Sequence, residues 1–421
     1  MRCLILLVFL SFTFVNADIS ENLEQYQIGN EKFSIAVYKV LAKSEKENVL
    51  VCPVSVEIAM GMALVGARGE TAKQISHGTH LSDQLEKLKS TFSELMPYLE
   101  SNDKYNFELA NKLYVRKTFH INQHYRQTIV NDFKGDIESI DMDDRSQAVS
   151  KMNQWVKEKS HSKIRDIIEK DDINEDTRLI LLNALYFKGQ WVTGFNSVHT
   201  KEHTFYLNKA EYVNVNMMTV KGEFNYYENV ENKVRLLELP YKGDDVTMTI
   251  VLPLDPEELS IIEKKLDEII VDPRQFFKRK VRLGLPKFNL KSSIKFKEVL
   301  KELGVNLPFK DGANFDGMIA KNQNAQLKIA EVLQKATIEV DEHGTVATAV
   351  AGVHMQKWKS ARIFDEIYFY ADHPFIFYLR HKVAGITFIG RYSRPPGSVH
   401  LGKYQEIREQ PYRVITSQTS K

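Results

Sequence analysis

The stretch Glu342-His343-Gly344-Thr345-Val346-Ala347-Thr348-Ala349-Val350-Ala351-Gly352 decides how this chain is interpreted. It follows an apolar, β-prone segment from Leu327 to Val340, and no amphipathic period resumes until Ile367. Between Thr345 and Ala351 there is no charge, Pro or Gly, and the small or β-branched side chains suit a pleated sheet. A period of two puts these side chains in two rows, Thr345, Ala347, Ala349 and Ala351 against Val346, Thr348 and Val350. The segment has the position of a loop and the composition of a strand.

Length and composition place the chain among globular proteins. Of its 421 residues, 43% are hydrophobic and 27% are charged, which is typical of a folded chain with one large core or two ordinary ones. The formal net charge of +2 gives no argument for a nucleic-acid partner. No linker rich in Pro or Gly and no internal repeat divides the sequence, so we expect one large domain and a monomer.

The two ends of the chain differ from its middle. Residues 1–17 begin with Arg2, continue with an apolar run and end in Val15-Asn16-Ala17, which is the pattern of a secretory signal peptide. We therefore expect a secreted, extracellular protein with its folded domain over residues 18–395, and no other stretch is apolar enough to predict a membrane span. Residues 396–421 are polar and predict a flexible tail.

Helical and strand patterns mix without a regular βαβ repeat, which indicates an α+β architecture. Apolar periodicity predicts helices from Leu23 to Ala42, Ser55 to Val65, Ser146 to Lys159 and Glu257 to Ile270. Apolar or β-branched runs predict strands from Arg178 to Lys188, Val281 to Leu285, Leu327 to Val340, Ile367 to Tyr370 and Phe375 to Arg380.

The sequence lacks the short motifs that carry catalysis or bind metal. It has no Gly-x-Ser-x-Gly, His-Glu-x-x-His, Walker, Gly-x-Gly-x-x-Gly or Cys-x-x-Cys pattern. Their absence disfavours an enzyme without eliminating it, because the members of a catalytic triad meet in space and need not form a short motif. We expect no catalytic residue, no metal and no obligatory cofactor.

Basic residues cluster at Lys278, Arg279, Lys280 and Arg282, with only Asp272 as a nearby counter-charge. Such a cluster could bind a heparin-like glycan or an acidic partner surface, or it could form an ordinary solvated face. The sequence leaves these alternatives open.

Four separated blocks point to one family. Asn183 to Trp191 reads NALYFKGQW, Leu285 to Phe288 reads LPKF, Asn314 to Met318 reads NFDGM, and Asp372 to Phe377 reads DHPFIF. In this order they resemble the serpins, the serine protease inhibitor superfamily, and the last block is similar in spelling to arthropod members. The resemblance implies a large central mixed sheet, two further sheets, about nine helices and an exposed reactive-centre loop over about residues 342–364.

The resemblance gives the opening stretch a role. The family's hinge has the form Glu-x-Gly-Thr-x-Ala, which Glu342, Gly344, Thr345 and Ala347 fill, and Ala349 and Ala351 continue the inward row. In inhibitory members a target serine protease cleaves the loop and is trapped as a covalent acyl-enzyme while the loop enters the main sheet. We expect this suicide-substrate mechanism here, because no charge or Pro obstructs the inward row. The alternative is a non-inhibitory carrier or storage protein.

Two groups of residues are expected to control opening of the sheet. The resemblance implies a breach at the top of the sheet, where Lys287 pairs with Glu342 beside Trp191. It also implies a shutter, formed by Cys52, Ser55, Asn183 and Gln334. Cys52 and Gln334 depart from the usual Ser and His, so we expect this gate to be tuned differently.

The cleavage site is expected within the basic segment that follows the hinge. Counting from Glu342 places the reactive bond between Trp358 and Lys359, which suits a chymotrypsin-like protease. Shifted counts point to Lys357, Lys359, Ser360 or Arg362 and include trypsin-like targets. Both classes stay open, and the arthropod spelling suggests proteases of clotting (haemostasis), melanisation or innate immunity.

Overall fold

The computed structural model describes residues 19–160, 162–270, 275–320, 326–343, 366–396 and 402–403. Within them, helices and strands mix without a βαβ repeat, so the predicted α+β class is confirmed. The predicted signal peptide (1–17), residues 344–364 of the predicted loop and most of the predicted tail (396–421) lie outside the described residues.

The described residues form nine α-helices. They are α1 (Glu21–Ser44), α2 (Pro53–Gly66), α3 (Gly69–Thr79), α4 (Leu85–Leu95), α5 (Gln123–Asp132), α6 (Arg145–Lys159), α7 (Leu259–Lys264), α8 (Leu266–Ile269) and α9 (Phe296–Glu302). The single helix predicted from Glu257 to Ile270 is wrong, because the backbone of Lys265 leaves the helical region and separates α7 from α8.

The same residues form fifteen strands. They are β1 (Val49–Val51), β2 (Tyr105–Arg116), β3 (Asp136–Ile140), β4 (Leu179–Gly189), β5 (Lys201–Tyr206), β6 (Glu211–Asn229), β7 (Val234–Pro240), β8 (Val246–Pro253), β9 (Phe277–Pro286), β10 (Phe288–Lys295), β11 (Ile329–Val340), β12 (Ile367–Tyr370), β13 (Phe375–His381), β14 (Gly385–Tyr392) and β15 (Gly402–Lys403).

The strands form two sheets. The central sheet has the order β10-β11-β4-β2-β3 and is mixed, with β4 and β11 parallel to each other. The larger sheet has the order β1-β14-β13-β8-β7-β6-β9-β12, with β5 and β15 also paired to β6. Where the resemblance implies two further sheets, the 19-residue strand β6 joins them into one hydrogen-bonded sheet.

One face of the central sheet packs on α2. Pro53 stands at the first turn of this helix, where its missing N–H costs nothing, and every residue of α2 is buried. The helix packs against β2, β4 and β14. Gly61 allows α2 to pack closely on α4 as well, since a Cβ there would lie 2.8 Å from the Phe92 ring.

The opposite face of the central sheet packs on α6. Met152 and Val156 of this helix are fully buried in a cluster with Ile180 and Leu182 of β4 and Leu333 of β11. Each such side chain contributes roughly 1.5–3 kcal/mol when it leaves water. Because both faces of β4 are covered, this strand reads as a nearly continuous apolar run, whereas β11 keeps the charged residues Glu331, Lys335 and Glu339 at half-buried positions.

A buried carboxyl group lies between α1 and α2. Glu57 is fully buried, and its Oε2 accepts hydrogen bonds from Tyr26 at 2.9 Å and Asn30 at 2.8 Å. Its Oε1 has no hydrogen-bond partner among the described residues. Burial raises the pKa of Glu57 to about 8, although both hydrogen bonds act in the opposite direction.

This raised pKa predicts a pH-dependent stability. The neutral carboxyl is favoured in the folded state, so the stability it gives is complete below the unfolded pKa of about 4.3 and is lost as pH rises to about 8. Between pH 5.5 and 8, we expect the wild-type free energy of unfolding to fall by about 3 kcal/mol relative to Glu57→Gln. Urea unfolding of both proteins at the two pH values measures this difference. The exposed Glu24→Gln is the control and should follow the wild type, whereas equal pH dependence in Glu57→Gln would contradict the assignment.

Candidate functional site

The chain leaves β11 through a bend held by hydrogen bonds and aromatic stacking. Trp191 Nε1 donates to the Asp341 carbonyl at 2.9 Å, and Phe195 N donates to the Glu342 carbonyl at 2.9 Å. The Trp191 indole stacks on Tyr241 with ring centroids 4.1 Å apart. These contacts hold the first residues after β11 beside the segment that follows β4.

The Glu342 side chain is held by two donors at this bend. Lys287 Nζ lies 2.7 Å from Glu342 Oε2, and Thr200 Oγ1 donates to Oε1 at 2.8 Å. Burial alone would raise the pKa of Glu342, but the hydrogen bonds outweigh it and the pKa lies below its usual value. The structure thus brings together the predicted breach residues Lys287, Glu342 and Trp191, and their control of opening stays a prediction.

An ion-pair group at the same end of the sheet was not predicted. Lys188 of β4 lies 3.3 Å from Glu339 of β11 and 2.8 Å from Asp341, and Lys163 adds a second contact to Glu339 at 3.5 Å. Burial lowers the pKa of Lys188, but the carboxylates outweigh it and the pKa is raised. The sequence feature that pointed here was Lys188, the single charged residue in the run from Leu179 to Gly189.

The parallel pair formed by β4 and β11 is called the seam. Its register runs from Leu179 opposite Ile329 to Phe187 opposite Ile338, with one irregularity near Glu331. β4 is buried along almost its whole length, and β11 is buried except at four half-buried positions. The seam is therefore closed, and a segment that entered between the two strands would first have to separate them.

Of the predicted shutter residues, Asn183 and Gln334 lie in the middle of the seam, and Cys52 and Ser55 lie at the start of α2. They form two separate networks. Gln334 Oε1 accepts from Cys52 N at 3.0 Å, and its Nε2 donates to the Cys52 carbonyl at 2.8 Å. On the other strand, Asn183 Nδ2 donates to Asn111 Oδ1 at 2.6 Å, while Ser55 Oγ is 3.5 Å from the same oxygen. Gln334 therefore ties β11 to Cys52, the N-cap residue of α2, and Asn183 ties β4 to β2.

The two networks lie side by side, but none of these hydrogen bonds connects Asn183 with Gln334. Asn183 and Gln334 stand directly opposite in the register, yet Asn183 Oδ1 has no hydrogen-bond partner among the described residues. Burial raises the pKa of the Cys52 thiol far above its usual value. The Gln334 side chain bonds to the backbone N–H and carbonyl of Cys52, not to the thiol. Asn111 was missed from the sequence, because only the strand register brings it beside Asn183.

The predicted basic cluster lies on β9, where strand alternation divides it. Lys278, Lys280 and Arg282 face the outer side of the larger sheet, whereas Arg279 shares the opposite side with Phe224. Glu366 pairs with Arg282 at 3.3 Å. The glycan site stays a prediction.

Several predicted residues lie outside the described part of the chain. They are the hinge residues Gly344, Thr345, Ala347, Ala349 and Ala351 and the reactive-bond candidates Lys357, Trp358, Lys359, Ser360 and Arg362. Among the residues that are described, no group of three or more His, Cys, Asp or Glu side chains could hold a metal ion. In the same part of the chain, no helix combines the length and hydropathy needed to cross a membrane.

Comparisons with known proteins agree across the chain. A family model described as Serpin (serine protease inhibitor) matches residues 28–395. Serine protease inhibitor 42Dd of Drosophila melanogaster is 33% identical over 364 residues, which are 85% of this chain and 95% of that protein. Leukocyte elastase inhibitor of Sus scrofa is 33% identical over 386 residues, 89% of this chain and 100% of that protein. The crystal structure of Serpin48 from the insect Tenebrio molitor is similar with a TM-score of 0.80 and 33% identity, covering 88% of this chain and 98% of that one.

The Gln334 contacts give a stability prediction. Gln334→Ala leaves a buried N–H and a buried carbonyl of Cys52 unpaired, which should lower the free energy of unfolding by roughly 2–4 kcal/mol. Cys52→Ala removes the thiol but keeps both backbone partners of Gln334, so it should cost about 1 kcal/mol. Urea unfolding of the two variants compares these costs. Equal losses would show that the thiol matters as much as the glutamine contacts.

The ion pair of Lys287 with Glu342 gives a second prediction. Its carboxylate is nearly buried, but the Lys287 side chain is 46% exposed, so solvent screening limits the interaction. A double-mutant cycle of Lys287→Met and Glu342→Gln should give a coupling energy of about 1 kcal/mol in the free energy of unfolding. The exposed pair Lys301 and Glu298, at 2.8 Å, is the matched control and should give about 0.3 kcal/mol. A coupling no larger than in the control would contradict this account.

Proposed function

Because the chain belongs to the serpin family of serine protease inhibitors and has the predicted serpin fold, we propose that it traps its target as a suicide substrate. Relatives that are named as protease inhibitors make it an inhibitor rather than an enzyme. In the proposed reaction, the protease serine attacks the scissile carbonyl in the loop and the amine leaves. The acyl ester that remains is trapped while the loop segment enters the seam.

The topology of the seam supports insertion. β11 ends at Val340 and leads directly, through the bend at Asp341 and Glu342, into the strand-like segment 345–351. A strand that returns after this bend runs antiparallel to β11, and it is also antiparallel to β4, because β4 and β11 are parallel. One hydrogen-bonded ladder would be replaced by two, so insertion increases the backbone pairing. The proposal rests on this observation: a strand that follows β11 through the bend would be antiparallel to both strands of the seam.

The composition of the segment agrees with this topology. One row of the inserted strand would enter the covered interior of the sheet, where a charge without a partner costs several kcal/mol. The inward row of Thr345, Ala347, Ala349 and Ala351 has no charge and no large side chain. The outward row is β-branched throughout, which favours an extended backbone.

The target is proposed to be a secreted trypsin-like or chymotrypsin-like protease of a clotting, melanisation or immune cascade. The alternatives Trp358, Lys357, Lys359 and Arg362 supply residues for both kinds of pocket. Residues 1–17, with the pattern of a signal peptide, support export of the inhibitor to the same compartment. The covalent complex is proposed to contain one protease molecule and one inhibitor molecule.

A pair of charge insertions tests the mechanism. Thr345→Arg puts a guanidinium on the inward row, so we expect trypsin or chymotrypsin to cleave this variant without being trapped. Val346→Arg puts the same group on the outward row and should still form a covalent complex that survives a denaturing gel. Active-site-titrated protease is incubated with each variant, and the complex and the cleaved inhibitor are measured by densitometry.

The expected fraction of trapped protease falls at least about tenfold in Thr345→Arg, because an unpaired buried charge outweighs the gain from pairing. Equal trapping by both variants would contradict the assigned rows. Clean cleavage of the wild type by every protease, with no covalent complex, would contradict suicide inhibition and favour the carrier or storage alternative.

A further inference from the structure

Strand β6 is longer than any of the strands that pair with its edges. β9 and β5 lie on opposite edges of it, because Met217 pairs with both of them. β9 ends at Pro286, and Lys287 N then donates to the Asn216 carbonyl at 2.8 Å before the chain continues into β10. On this edge, β9 therefore leaves residues 211–215 of β6 without a partner strand, and this part is called the terminal edge.

The C-terminal tail pairs with the terminal edge through β15. Tyr212 pairs with Tyr206 of β5 and also with Gly402 of β15, so β15 lies on the edge opposite β5, which is the edge of β9. The pairing is antiparallel and places Lys403 opposite Glu211. Opposed residues of opposite charge stabilise a sheet. Among the described residues, no other strand pairs with the terminal edge.

The sequence before β15 matches the terminal edge beyond the two observed pairs. In this part of β6 the buried Val213 and Val215 alternate with exposed asparagines. If the register of β15 continues, Leu401 stands opposite Val213. By the same register Val399 stands opposite Val215, and the polar His400 falls between them on the exposed face. The tail thus has apolar residues where the edge is buried and a polar residue where it is exposed.

The tail begins close enough to the terminal edge for this register. Pro396 lines a cavity of about 770 Å³ together with Asn289 and Lys291 of β10. β10 begins directly after Lys287, whose N–H marks the limit of the terminal edge. Val399 follows Pro396 by three residues, which span at most about 11 Å. The tail can therefore pass directly from the end of the folded domain onto the terminal edge.

We propose that the terminal edge of β6 is a docking site for the chain's own C-terminal tail, which adds residues 399–403 to the larger sheet as a strand. Backbone hydrogen bonds hold the added strand, and its alternate apolar residues select it. An open sheet edge is a ready pairing site for such a segment. Docking places the tail beside Lys287, the residue that binds Glu342. The family model ends at residue 395, so this interaction lies beyond the residues that the model matches.

The direction of the β6 backbone groups shows which amides the docked tail protects. Asn216 directs its carbonyl to the edge of β9, and every second residue of a strand directs its N–H and C=O to the same edge. The backbone groups of Tyr212 and Asn214 therefore face the tail, whereas those of Val213 and Val215 face β5, which pairs with them. Docking protects the first two amides and leaves the other two to β5.

Amide hydrogen exchange with single-residue resolution tests the proposal. The full chain is compared with a chain that stops after Gly397 and so lacks the docking strand. Without the tail, the amides of Tyr212 and Asn214 should exchange about tenfold faster, because they lose their hydrogen-bond partners. The amides of Val213 and Val215 should keep their rates. Unchanged exchange at Tyr212 and Asn214 overturns the proposal.

Two substitutions in the full-length tail make the test independent of truncation. Leu401→Asp puts a carboxylate on the buried face, so it should accelerate exchange at Tyr212 and Asn214 as the truncation does. His400→Asp keeps the backbone N–H and puts the same carboxylate on the exposed face, so its rates should equal those of the wild type. Thermal unfolding checks that each variant keeps its fold. Equal rates in the two variants would contradict the proposed register.

A second copy of the chain is the competing source of the added strand. Exchange at Tyr212 and Asn214 is therefore measured over about a hundredfold range of protein concentration, with the molar mass from light scattering. Docking within one chain predicts the same protection and a monomer mass at every concentration. Protection that appears only as a dimer forms, with a dimer that the truncated chain does not make, overturns docking within one chain.

Discussion

The parallel pairing of β4 with β11 is the constraint on which the rest of the structure depends. On one side α2 packs on β4, and on the other side the α6 cluster buries Ile180 and Leu182 of β4 and Leu333 of β11. Exposing the ladder between the two strands to water would therefore cost buried apolar contacts and backbone hydrogen bonds. Parallel neighbours also fix the direction of any strand that follows β11 directly. A strand that entered the seam after the bend would run antiparallel to both of its neighbours, whereas between β10 and β11 it would run parallel to β10.

Polar contacts at the seam are distributed unevenly. At one end, Lys188 bridges from β4 to Glu339 of β11, and Lys287 holds Glu342 in the bend. In the middle, Gln334 and Asn183 each bond away from the seam, to α2 and to β2. Opening therefore has to break side-chain contacts mainly at the end where the loop departs, and the middle separates by losing backbone pairing and packing. Because Gln334 is hydrogen-bonded to Cys52 at the start of α2, we expect β11 and α2 to move together when the seam opens.

The sequence predicted those strands and helices whose burial gives a clear pattern of apolar residues. β4 is nearly continuous in apolar residues because both of its faces are buried, and α1 and α6 each bury one stripe of apolar residues. The strand β6 was missed although Val213, Val215 and Met217 alternate with polar residues, because its later part carries Gly222 and exposed charges. The helix α5 was missed because its polar residues outnumber the buried Tyr125, Thr128 and Ile129.

Some of the site residues could be predicted from the sequence and others could not. Glu342, Lys287, Trp191, Asn183 and Gln334 were named through motifs, whereas Lys188 and Asn111 depend on strand register, which a single sequence does not contain. The split of the basic cluster at Arg279 also depends on register, since neighbours in a strand face opposite sides.

A crystal structure of the protein after cleavage between residues 357 and 362 shows whether the hinge segment enters the seam. We expect a new strand, built from residue 345 onward, between β4 and β11. The Cα atoms of Asn183 and Gln334 would then move from the spacing of neighbouring strands, about 4.8 Å, to about 10 Å. A cleaved protein in which Asn183 still stands beside Gln334 in an unbroken seam would contradict it.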